Sequence, residues 1–66
     1  MTRYIVLDTH RGDDGGEAPG GMRGRILGRF QSHDRAKALA LHWMSSGDIG
    51  VVVIDLVQGE RVFPRG

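Results

Sequence analysis

With 66 residues and no cysteine, this chain can have neither a disulfide nor a thiolate metal site. A chain of this length buries only about 60% of the surface its unfolded form exposes, so oligomerisation or partner binding is the staple left to it. The formal net charge is +1, from nine cationic and eight acidic residues, and eight of the nine cations are arginine. That balance argues against a bulk polyanion binder and against an acidic DNA mimic, whereas arginine suits bidentate contact with carboxylate or phosphate.

Arg3 to Thr9, RYIVLDT, begins with Tyr4, Ile5, Val6 and Leu7, which are apolar on both alternating faces. This pattern predicts a strand covered on both sides. His10 to Met22, HRGDDGGEAPGGM, holds five glycines and one proline in thirteen residues. Periodicity is lost there and the backbone is costly to order, so a flexible loop at about 10–22 is expected at the tip of a hairpin. Arg23 to Gln31, RGRILGRFQ, alternates. Ile26, Gly28 and Phe30 fall on one face, expected to meet the helix, and Arg23, Arg25, Leu27, Arg29 and Gln31 fall on the other. Gly28 marks a close approach or a bend.

Ser32 is a good N-cap and Asp34 complements the dipole of the first turn, although Arg35 stands where a capping box wants Glu or Gln. Ala36, Leu39, Ala40 and Trp43 recur at i, i+3, i+4 and i+7, with Met44 beside them and Gly47 as the stop, so a helix over about 33–46 is predicted. Its alanines allow a close approach to a sheet, and Trp43 is expected to supply most of the buried area there. Val51 to Val57, VVVIDLV, is β-branched or apolar on both faces except at Asp55, as in an interior strand. Gln58-Gly59 turns the chain into a last strand, Glu60 to Phe63, closed by Pro64. The expected fold is one α+β domain over residues 1–66 in the order β-β-α-β-β. One antiparallel sheet of about four strands carries a single helix on one face.

Catalysis is not expected. His10, His33 and His42 are the only histidines, the serines at 32, 45 and 46 sit at the helix ends, and no carboxylate is placed to orient a base. His33 and His42 lie about 180° apart on a helix and cannot share a metal. Asp13, Asp14 and Glu17 lack the alternating oxygen spacing of a calcium loop. Gly20, Gly21, Gly24 and Gly28 match neither the dinucleotide fingerprint nor a P-loop. No cofactor is expected.

The informative polar feature is the arginine row of the second strand. From Arg23 to Lys37 there are five cations against Asp34 alone, a local balance of +4, whereas Asp8 to Glu17 balances to −3. The row can pair with that acidic loop, each surface pair contributing at most about 1 kcal/mol. It can equally grip phosphates or acidic residues of a partner. The candidate contacts are Arg23, Arg25, Leu27, Arg29, Arg35 and Lys37, with Arg11, Asp13 and Asp14 of the loop as a second set. If the helix covers Val52, Ile54 and Leu56, then Leu27, Val51, Val53 and Val57 are left on a wet face, with Leu41 outward on the helix. A homodimer through that open sheet face, or another protein docked on it, is the expectation. No run approaches the roughly 20 apolar residues of a membrane span and MTRYIVLD lacks a signal-peptide core, so a cytoplasmic location is expected.

Leu27 to Ala40, LGRFQSHDRAKALA, resembles the strand-to-helix junction of AP2/integrase-type DNA-binding domains. Leu27, Gly28, Phe30, Ser32, Asp34 and Ala36 fall on that family's pattern, fourteen of the 66 residues being covered. The resemblance implies DNA contact by the sheet face opposite the helix, although the family's Trp- and Arg-rich first strands are missing here. The whole layout is similar to small phage-encoded anti-CRISPR proteins that inhibit type I surveillance complexes. In YIVLDT, the loop, the capped helix and the closing hairpin, the match is one of size and element order. It implies a non-catalytic inhibitor in the host cytoplasm that docks on a Cas protein or nucleoprotein complex. Direct nucleic-acid binding and an accessory homodimer are the alternatives.

Overall fold

Two strands, a helix and two further strands form where the periodicities predict them. They are β1 (Tyr4–Asp8), β2 (Arg25–Phe30), α1 (His33–Ser45), β3 (Val51–Asp55) and β4 (Glu60–Phe63). The computed structural model describes residues 2–10 and 24–64. The predicted glycine-rich loop beyond His10, with Arg11, Asp13 and Asp14, lies outside the described residues, and so does Arg23. The four strands make one antiparallel sheet in the order β2-β1-β3-β4, with the single helix on one face.

The helix is bounded as its sequence dictates. Ser32 is extended (φ −100°, ψ 129°), and its Oγ accepts a hydrogen bond from the Arg35 N–H at 3.4 Å. At the other end the Gly47 N–H donates to the Met44 carbonyl at 3.0 Å, and Gly47 takes φ 98°, a left-handed conformation that glycine adopts without a Cβ penalty. The described helix is not long and apolar enough to cross a membrane.

α1 lies on the face carrying Val6, Val51 and Val53, and its fully buried residues there are Ala36 and Ala40. One correction follows. The helix covers the odd-numbered valines of β3, not Val52, Ile54 and Leu56. Trp43, with Leu39 and Met44, is partly buried against the same helix-side cluster.

The other face of the sheet is closed as well. Ile5, Leu7, Val52 and Ile54 cluster there at 4%, 0%, 8% and 0% exposure, with Ile26 packed against them. A wet face of Leu27, Val51 and Val53 does not exist: Val51 and Val53 are buried and Leu27 packs on the helix side. Among the described residues, the sheet residues of both apolar clusters are buried. Exposed apolar side chains are peripheral: Leu41 on α1, Ile49 before β3, and Leu56 and Val57 in the turn after it.

Strand β2 departs furthest from its sequence pattern. Phe30, Arg29 and Gly28 pair with Tyr4, Ile5 and Val6, but Ile26 and Arg25 pair with Leu7 and Asp8, so Leu27 is an extra residue in a β-bulge. Above the bulge Gly28 and Phe30 face the helix, as expected; a Cβ on Gly28 would stand 2.8 Å from Leu39 Cδ2 and 2.9 Å from Phe30 Cε2. Below it the alternation is reversed. Leu27 joins the helix-side cluster and Ile26 the opposite one.

Candidate functional site

The bulge breaks the arginine row. Arg29 is in register with Ile5, on the face away from the helix, whereas Arg25 is in register with Asp8, whose strand parity places it on the helix side. Both are exposed, but they do not share a face. Leu27 is removed from the candidate contact altogether, since it packs inward. Arg29 finds a different neighbour. With Phe30, Gln31, Ser32 and Arg35 it lines a recess of about 370 Å³ where β2 turns into α1. Arg29 and Arg35 are both exposed, and the ion pairs found among the described residues involve neither.

Lys37, the remaining predicted contact, belongs to another place. One turn beyond His33 on the same side of α1, it borders a groove of about 580 Å³ between the N-terminal half of the helix and the end of the sheet where β1 begins and β3 finishes. Its Nζ stands over the Phe63 ring, 5.4 Å from the centroid, in cation–π geometry. His33 meets the Tyr4 ring edge-on, with centroids 5.5 Å apart and planes at 77°. The Arg3 guanidinium carbon lies over the same Tyr4 ring at 5.3 Å. Three cationic or cation-capable groups and two aromatic rings thus surround one groove, with Val62 and Pro64 as apolar lining and Gln58 as a polar one.

Asp55 anchors this arrangement. It is 2% exposed, and its carboxylate takes two hydrogen bonds from Arg3, Nε to Oδ1 at 3.5 Å and Nη2 to Oδ2 at 3.3 Å. Oδ1 also accepts from the backbone N–H groups of Val57 and Gln58, at 2.8 and 3.3 Å, and so shapes the turn into β4. Gly59 completes that turn at φ 72°, its N–H donating to the Asp55 carbonyl at 2.7 Å. Burial disfavours the charged carboxylate, but the Arg3 hydrogen bonds, the two N–H donors and the nearby positive charge outweigh it and hold the carboxyl below its ordinary range. Hydrogen bonding to Asp55 in turn raises the Arg3 guanidinium.

Sequence reasoning missed this groove. Its one signal was Asp55, the lone acid in an otherwise apolar strand, since a buried carboxylate requires a partner. No protein-family model, no curated protein and no solved structure matches this chain.

Proposed function

We propose that this chain is a non-catalytic binding protein that docks on a protein or nucleoprotein complex, in the manner of a small phage or mobile-element inhibitor. The observation that carries the reading is the convergence of the exposed Arg29 and Arg35 on one recess beside Gln31 and Ser32. Guanidinium groups are suited to bidentate recognition of carboxylate or phosphate, and a +1 chain that concentrates them at one corner is built for a local contact. An anti-CRISPR inhibitor of a type I complex is the concrete form, supported by chain size and element order.

The test is target-DNA binding by a reconstituted type I surveillance complex, with and without the chain. Inhibition by the native chain, and its loss by about tenfold or more in Arg29→Glu/Arg35→Glu, is the expected result. No inhibition at a large molar excess sinks the anti-CRISPR form.

The position of the two arginines beside the N-terminus of α1, where backbone N–H groups favour anions, supports a second reading: direct contact with nucleic-acid phosphates. DNA titration at two salt concentrations separates the readings. A direct binder using both arginines loses affinity with salt at a logarithmic slope of about −2. An inhibitor that docks on protein binds no free DNA at low salt.

A further inference from the structure

We propose that the groove between α1 and the closing hairpin is a separate small-ligand site, and that its ligand is a mononucleotide: a phosphate carried on a planar ring. It shares no residue with the Arg29–Arg35 recess, so this inference goes beyond the docking reading and stands apart from it.

The cations are held in place before any ligand arrives. Lys37 Nζ rests over the Phe63 ring, which leaves its outward N–H donors to meet an anion. The ion pairs among the described residues give Lys37 no carboxylate partner. Arg3 is fixed by two hydrogen bonds from Nε and Nη2 to Asp55, and its Nη1 is not used in them. One face of its guanidinium is turned to Tyr4, and the side chain is still 47% exposed, so the other face is free to stack on a planar group. His33, at the start of α1, lines the same groove.

The phosphate is assigned to Lys37 and His33, and the ring to the exposed side of Arg3 and the apolar lining of Val62 and Pro64. Gln58 is placed to hydrogen-bond a base edge, since its carboxamide offers both a donor and an acceptor. A bare anion would leave the apolar lining unused. A long polyanion is disfavoured by a chain of net charge +1, which releases few counterions, whereas about 580 Å³ lies in the range of small-ligand sites.

The experiment is an amide-resolved NMR titration of the full chain with AMP, adenosine, inorganic phosphate and a short acidic peptide. AMP is expected to give saturable shifts at Tyr4, His33, Lys37 and Phe63 at millimolar concentration or below. Adenosine and phosphate should each bind about tenfold more weakly, and Lys37→Gln should weaken AMP by a similar factor with the rest of the spectrum unchanged. Should Lys37→Gln disturb the fold, the comparison of AMP with adenosine and phosphate decides alone. Phosphate binding as well as AMP, the peptide binding better than AMP, or no saturable shift with AMP each overturns the proposal. A 5′-phosphorylated deoxyadenosine hexamer distinguishes the source: tighter binding than AMP assigns the nucleotide to a strand end, equal binding to a free nucleotide. No inhibition by the native chain with saturable AMP binding fails the docking reading alone, and inhibition by the native chain without saturable AMP binding fails this proposal alone.

Discussion

Strands β3 and β2 are both predicted from sequence, the first from an apolar run and the second from alternation, yet they behave differently in the fold. VVVID is apolar on both parities, and all five of its residues are buried, with Val51 and Val53 under the helix and Val52 and Ile54 in the opposite cluster. RILGRF alternates, which is the stronger indicator of two distinct faces, but the alternation fails halfway along because Leu27 is inserted as a bulge. A strand in the middle of the sheet is paired on both sides, so a slip would break two ladders. An edge strand such as β2 is paired on one side and can absorb an extra residue at the cost of one ladder. Alternation along an edge strand is therefore a guide to its faces only up to the point where a bulge is inserted.

The largest effect should come from the interior strand. Ile54 is fully buried between Ile5, Leu7 and Val52, so Ile54→Ala removes apolar contacts and leaves a cavity, costing about 3 kcal/mol. Total stability for a chain of this size is roughly 3–10 kcal/mol, so urea denaturation should show a much earlier midpoint or no folded baseline. A loss below about 0.5 kcal/mol, the range of surface substitutions, would mean that the face away from the helix is wet after all.

An intermediate effect is expected at the end of the same strand, and it depends on pH. The Asp55 carboxyl titrates lower in the fold than its unfolded value of about 3.9. Its contribution to stability is therefore complete above the unfolded value and is lost as pH falls through the folded one. Asp55→Asn retains an oxygen that can accept from the Val57 and Gln58 N–H groups and removes the charge facing Arg3, so it isolates the ion pair. The variant should melt several degrees below the native chain at neutral pH, and the gap should narrow as pH falls below the unfolded value and through the lower folded one. A gap of constant size across that fall would assign the loss to turn geometry and not to charge.

How far the sequence could be read follows the same division. The element order, the Ser32 cap, the Gly47 stop and the close approach at Gly28 all rest on local rules, and each is present in the fold. Which parity of β3 meets the helix was not legible, because valine and isoleucine occupy both and neither face is marked by polarity. The bulge was not legible either, since its energetics depend on pairing with β1 and not on β2 alone. The groove was least legible. Arg3 and Asp55 are 52 positions apart, and only the fold brings them together. Of the predicted contacts, Arg29 and Arg35 line one recess, Lys37 goes to the groove, Arg25 is exposed in register with Asp8, and Leu27 is packed inward.

The smallest of the expected effects is the sharpest test of the bulge. If β2 alternated without interruption, Leu27 would lie beside Arg29 on the outer face, and Leu27→Ala would shift stability by no more than about 0.5 kcal/mol, as a surface change does. With the bulge in place Leu27 is half-buried against the helix-side cluster, and the same substitution should cost about 1.5 kcal/mol, below the range for a fully buried leucine. Arg29→Ala supplies the control, since that side chain is exposed in either register and should stay within about 0.5 kcal/mol. The informative quantity is the difference between the two variants in urea denaturation, because both sit on the same edge strand and share its local fraying. A difference near zero would return Leu27 to the outer face and restore the unbroken arginine row, with Arg25 and Arg29 again side by side. A difference of about 1 kcal/mol keeps them apart and leaves the Arg29–Arg35 recess as the cationic contact of that corner.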